Sequence, residues 1–182
     1  MNQFLRPIRS FVHRQKKLSK CQQLAFAALS EQNTLSTPIN FKILFERDAY
    51  TILEIGFGMG DSLLQQAQQH PENNYLGIEV HRPGIAFVLT QIEKFKLHNI
   101  KIIYADASEI LARSIPNHSL DLVQIFFPDP WPKTRHHKRR LVQAKFSDLL
   151  HEKLKLNGKL HLATDWQDYA QHMLKVMENT SQ

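Results

Sequence analysis

The chain has 182 residues, 42% of them apolar and 22% charged, which suits a soluble globular protein with one domain and a real core. No apolar run approaches the roughly 20 residues of a membrane span. No apolar h-region marks a secretory signal, and the single Cys21 excludes an intrachain disulfide or a cysteine-cluster metal site, so a reducing cytoplasm is expected. The net charge of +6 is segregated: residues 1–30 hold six basic side chains and no acid, residues 133–140 hold five and no acid, and the remainder carries 12 basic against 17 acidic. Two acid-free patches on an otherwise acidic chain are the footprint expected for nucleic acid.

In chain order, residues 1–40 read as a basic arm and connector, with helical spacing from Leu18 to Leu29. Polar residues interrupted by Pro38 continue the connector to about residue 49. Residues 41–182 read as one catalytic-sized domain in which strands and helices alternate. Strands are predicted at Thr51–Ile55, Tyr75–Val80, Ile100–Tyr104, Leu120–Phe126 and Lys159–Thr164. Helices are predicted at Asp61–Gln69, Pro83–Phe95, Ser108–Arg113, Val142–Leu154 and Asp168–Met177. This alternation implies parallel βαβ units and a Rossmann-like sheet of at least five strands with helices on both faces. Ligands of such sheets sit at the carboxyl ends of the strands, where the strand order reverses.

The candidate polar residues fall at those ends. Glu54-Ile55-Gly56-Phe57-Gly58-Met59-Gly60-Asp61 closes the first strand and opens a helix. Its glycines, Gly56 and Gly58 among them, allow a sharp turn and close approach of a ligand. Asp61 stands where a dinucleotide site wants a third Gly or Ala, which argues against NAD or FAD. Glu54 could receive an ammonium, Glu79 the hydroxyls of a ribose, and Asp106 an adenine amino group. A positively charged nucleoside with an amino-acid tail fits this set, which points to S-adenosylmethionine.

The fourth strand runs into Phe127-Pro128-Asp129-Pro130-Trp131-Pro132-Lys133 and the basic run through Arg140. The prolines restrict the backbone on both sides of Asp129, and Trp131 offers a flat surface for stacking or packing. Arg135, Lys138, Arg139 and Arg140 are expected to meet phosphates. Adjacent His136 and His137 share no helix face and lack further ligand spacing, so no metal is expected.

Glu54–Asp61, Gly77–His81, Phe126–Lys133, His136–Gln143 and Ala163-Thr164-Asp165-Trp166, with Ile8–Val12 upstream, closely resemble bacterial tRNA (guanine-N7)-methyltransferases. The resemblance implies a class I S-adenosylmethionine-dependent methyltransferase acting on a guanosine in the tRNA variable loop. It implies that Glu54, Glu79, Asp106 and Asp129 line the cofactor pocket, that Asp129 is also catalytic, and that Lys133 and Asp165 contact tRNA. Members of that family usually continue with two more strands and a Thr-x-x-Glu motif. A C-terminally short member is therefore expected, as a monomer, or as a dimer if the edge of the fifth strand is uncovered. Two other readings stand beside it: a methyltransferase of the same fold acting on a small molecule or protein, and a non-catalytic RNA-binding relative.

Overall fold

Apolar, β-branched runs bounded by polar turns form five parallel strands in the computed structural model, which describes residues 9–11, 23 and 38–180. The strands are β1 (Thr51–Ile55), β2 (Asn74–Glu79), β3 (Ile100–Tyr104), β4 (Leu120–Phe126) and β5 (Leu154–Ala163). They lie in one sheet in the order β3-β2-β1-β4-β5. The order reverses between β1 and β4, so their carboxyl ends, the glycine turn and the Asp129 loop, face each other across the crevice that such sheets use for ligands. The helices are α1 (Phe41–Leu44), α2 (Asp61–Gln69), α3 (Arg82–Phe95), α4 (Ala107–Arg113), α5 (Ala144–Lys153) and α6 (Gln167–Thr180), with a 3-10 helix at Thr134–Arg139.

Alternate residues of the strands feed cores on opposite faces. Leu53, Ile55, Ile78, Val123 and Ile125 pack with Leu111 of α4 and Leu150 of α5. Ile52, Tyr75, Ile100 and Ile102 pack with Leu63 of α2 and Ile85 and Val88 of α3. Period-two alternation with both faces covered marks β1 to β4 as the buried part of the parallel sheet, whereas no residue of β5 is buried.

The expected bounds of β1, β3, β4 and α2 match the structure. Three differences have local causes. The connector contains α1, whose N-terminus is capped by the Asn40 side chain accepting from the Ile43 N–H at 3.1 Å, and whose flanks Ile39 and Phe45 are buried. Helix α5 starts at Ala144 rather than Val142, because Gln143 is extended (φ -131, ψ 162) and serves as its N-cap, while the Val142 N–H donates to the Tyr169 hydroxyl at 3.1 Å. Strand β5 begins at Leu154 rather than Lys159: Leu120 pairs with Leu154 and Leu122 with Lys159, so the β5 residues between form a bulge through Asn157 (φ 65) and Gly158. The helix expected at Leu18–Leu29 lies outside the described residues apart from Gln23, which is helical.

Candidate active site

The turn after β1 places Gly56, Gly58 and Gly60 at φ of 74, 58 and 82°, conformations that side chains rarely adopt. A Cβ added at Gly56 or Gly58 would meet no protein atom within 4 Å, so the turn presents bare backbone to open space. Its shape is held from β2. Glu79 accepts from the Gly58 N–H at 2.7 Å on one carboxylate oxygen, and from the Val80 and His81 N–H groups at 2.5 and 2.9 Å on the other.

A cavity of about 600 Å³ opens between this turn and the loop after β4. Gly56, Glu79, Asp106 and Asp129 line it, together with Ser10 and Phe11 of the N-terminal segment. The cavity therefore brings together four of the residues singled out in the sequence. Asp106 also caps α4, accepting from the Ser108 N–H at 2.9 Å. Glu54 and Gly58 are not among the lining residues. Glu54 is 2% exposed beside the turn, and its Oε2 is a buried oxygen with no hydrogen-bond partner. Burial, and then the nearby Glu79 carboxylate, push its pKa up to about 7. A buried acceptor left unsatisfied is costly, and a cationic ligand group arriving there would remove that cost. The residues present thus fit a nucleoside carrying an ammonium-bearing tail.

The loop that carries Asp129 is strained on both sides. Phe127 has φ 49 and Trp131 φ 47, left-handed values for bulky side chains. Each such residue costs on the order of 1–3 kcal/mol and persists only where surroundings enforce it. The enforcing contacts are visible. The Phe127 N–H donates to the Ala163 carbonyl at 2.8 Å. The Arg140 Nε donates to the Pro130 carbonyl at 2.9 Å. The Trp131 Nε1 donates to the Ser10 carbonyl at 3.1 Å.

The basic run divides into two kinds of cation. Lys133, Arg135 and Lys138 are exposed. Arg139 turns inward: its guanidinium lies 3.8 Å over the Trp131 ring and donates to the carbonyls of Arg9 and Phe11. The Trp131 ring, with Arg139 on its face and the His136 ring edge-on at 5.8 Å, is packed. His136, partly desolvated and surrounded by Arg135, Arg139, Lys133 and Lys138, has its pKa lowered, which favours the uncharged ring. Arg140 corrects the expectation of a phosphate-facing cation. It is 3% exposed, bonds to the Asp168 carboxylate, and lies 4.9 Å from the Tyr169 ring centroid. The bond from Arg140, above all, holds the Asp168 carboxyl below its usual range.

Asp165 is exposed just beyond β5, next to a turn in which the Trp166 N–H donates to Thr164 Oγ1 at 3.2 Å. It is outside the cavity lining, but Phe126 pairs with Ala163, so Asp165 and Asp129 follow adjacent strand ends. Sequence reasoning missed Ser10, Phe11, Tyr104 and Leu141 as lining residues. It also missed the inward role of Arg140. The signal for Arg140 lay 28 positions away in Asp168-Tyr169, too far for local pattern to connect. Among the described residues, no group of three or more His, Cys, Asp or Glu side chains is placed to hold a metal ion. No described helix is long and apolar enough to cross a membrane.

Residues 48–182 match the sequence family described as "Putative methyltransferase". The tRNA (guanine-N(7)-)-methyltransferase of Nitrosococcus oceani is 53% identical over 175 residues, covering 94% of this chain and 74% of the relative. That of Pectobacterium atrosepticum is 50% identical over 180 residues, covering 97% of this chain and 75% of the relative. Among solved structures, precorrin-6y C5,15-methyltransferase from Geobacter metallireducens superposes with a TM-score of 0.58 at 19% identity, covering 92% of this chain and 74% of the other. Phosphoethanolamine N-methyltransferase 2 from Haemonchus contortus gives a TM-score of 0.54 at 15% identity, covering 87% and 41%. These two likenesses concern the fold: a Rossmann-like class I methyltransferase sheet.

Proposed function

The chain belongs to the tRNA (guanine-N7)-methyltransferase family, and from that premise we infer that it transfers a methyl group from S-adenosylmethionine to N7 of a guanine in tRNA, with a guanosine of the variable loop as target. Its relatives at 50 to 53% identity are named tRNA (guanine-N(7)-)-methyltransferases. The structural observation that carries the reading is the meeting of the glycine turn, Glu79, Asp106 and Asp129 around one cavity at the reversal of strand order.

S-adenosylmethionine, when bound, supplies an electrophilic methyl group on a sulfonium. Glu54 is the residue for its ammonium, because its buried carboxylate oxygen is unpartnered. Glu79, fixed by three backbone N–H groups, is the acceptor for the ribose hydroxyls. Asp106 is the acceptor for the adenine amino group. The target N7 carries a lone pair and no proton, so the protein need not supply a base for that atom. Alignment is then the main contribution, and in well-oriented cases it is worth roughly 7–11 kcal/mol.

Asp129 is exposed at the cavity and held in a strained loop. There its carboxylate favours the positive charge that develops on the purine and can accept from guanine N–H groups. Asp165 is the second candidate acceptor for the base. Lys133 and Arg135, both exposed, are the residues for phosphates of the incoming RNA, and Arg139 orders the loop through Trp131.

The test is nucleoside analysis of tRNA incubated with the protein and labelled S-adenosylmethionine. Label in 7-methylguanosine is the expected result. Label in another nucleoside, or none, would overturn the reading.

A further inference from the structure

Arg140 is a fully buried cation in a run of surface cations, and its side chain is 1% exposed. A guanidinium is hard to desolvate and remains buried only with partners for its donors. Its partners join two segments that no strand pairing connects directly. Nε donates to the Pro130 carbonyl at 2.9 Å, one residue after Asp129. Nη2 bonds to Asp168 at the start of α6, three residues after Asp165, and lies 3.1 Å from His137 Nε2. The Tyr169 ring supports the guanidinium from α6, and the Tyr169 hydroxyl accepts from the Val142 N–H two residues after Arg140. One planar fork therefore sets the position of the Asp129 loop against the segment that presents Asp165.

Resting on the methyltransferase reading above, we propose that Arg140, locked by Asp168 and Tyr169, is a positioning residue that sets the spacing between the Asp129 and Asp165 carboxylates across the guanine site. At the strand ends the Phe127 N–H holds the Ala163 carbonyl, and Trp131 is tied to Ser10; the Arg140 fork is what joins Pro130 to α6. Phe127 and Trp131 are both left-handed, so the loop between them needs an outside tie to stay in register with α6. Arginine suits the task because its rigid fork bonds two groups in fixed directions. Lysine offers a point charge on a flexible stem. The contact is upstream of chemistry: Arg140 lines no part of the cavity.

The test uses the whole protein with Arg140→Lys and Asp168→Asn. Asp168 is an exposed side chain on the far half of the tie, so its variant reports even where Arg140→Lys does not fold. Three measurements are made on parent and variants: steady-state methylation of tRNA, S-adenosylmethionine affinity by calorimetry, and intrinsic fluorescence. The chain's two tryptophans, Trp131 and Trp166, flank Asp129 and Asp165 respectively, so emission reports on both segments.

For Asp168→Asn, kcat is expected to fall about tenfold while KM for tRNA and cofactor affinity stay within threefold, with a shifted emission spectrum. Arg140→Lys should fall at least as far, and the double variant should be no worse than Arg140→Lys, since both changes break one tie. An Asp168→Asn protein with parental kcat, or one whose loss lies entirely in KM or cofactor affinity, overturns the proposal. So does an emission spectrum that superposes on the parent's. If the parent itself makes no 7-methylguanosine, the functional reading fails, and the tie is then judged by emission alone.

Discussion

Glu54 shows how a single side chain can report on a binding site. Burial and the Glu79 carboxylate raise its pKa from 4.5 to about 7. The unfolded chain thus releases this proton near pH 4.5 and the folded chain near pH 7. The folded state binds more protons between those values, so this group's contribution to stability is full below about 4.5 and is lost as pH rises through 7. At 1.36 kcal/mol per unit the loss amounts to about 3 kcal/mol. Glu54→Gln cannot ionise and should escape it. In denaturant titrations the variant should match the parent near pH 4.5 and become progressively more stable by pH 8. Parallel curves for the two proteins would remove the argument. Saturating S-adenosylmethionine should narrow the gap, because an ammonium beside Glu54 favours the ionised form. The sequence placed this acid at a strand end. It could not reveal that the carboxylate oxygen lies beside the turn without a partner, since that depends on where Gly58 and Glu79 fold.

At the level of elements, α3 and the glycine turn are fitted to each other. A Cβ on Gly84 would come within 1.7 Å of the Gly58 carbonyl oxygen, and one on Gly60 within 2.1 Å of a Val88 methyl. The first obstacle is backbone, so relief requires α3 or the turn to move. Gly84→Ala should cost roughly 2–3 kcal/mol, as overpacking of a tight contact does. It should also weaken S-adenosylmethionine binding, because displacing Gly58 breaks its bond to Glu79. Thermal melts with and without cofactor check both effects, and an unchanged cofactor-induced rise in Tm would contradict the second. Strands whose apolar runs ended in clear turn residues were legible in sequence, β1, β3 and β4 among them. Strand β5 is longer than its apolar run suggests, because Asn157-Gly158 is a turn signal that here marks a bulge within the strand. Helix α1 was invisible because four residues are too few to show a period, although Asn40 was present as its cap.

For the molecule as a whole, charge segregation carries the expectation of RNA binding. Lys133, Arg135 and Lys138 are exposed in the segment that follows the cavity-lining Phe127–Pro132 loop, whereas Arg139 is half-buried on Trp131 and Arg140 is buried. Affinity for tRNA should fall steeply with salt, with log K losing roughly 0.7–0.9 per phosphate for each tenfold rise in salt. Replacing Arg135 and Lys138 by Ala should flatten that dependence by about two contacts and leave cofactor affinity unchanged. Filter binding across a salt series measures the slope, and an unaltered slope would place the phosphates elsewhere. In the sequence all members of the basic run look alike. Only the fold separates them, because the partner of Arg140 comes from α6, 28 positions further along the chain.

The three backbone bonds to Glu79 also bear on altering the donor specificity of this protein. The carboxylate proposed to accept the ribose hydroxyls is the same group that fixes Gly58 and the start of α3. Exchanging it to admit a donor with a modified sugar would collapse the pocket meant to receive that donor. Asp106 is tied only to the first turn of a short helix through Ser108. An enlarged or substituted donor is therefore better accommodated from the base side, where room can be made without dismantling the turn.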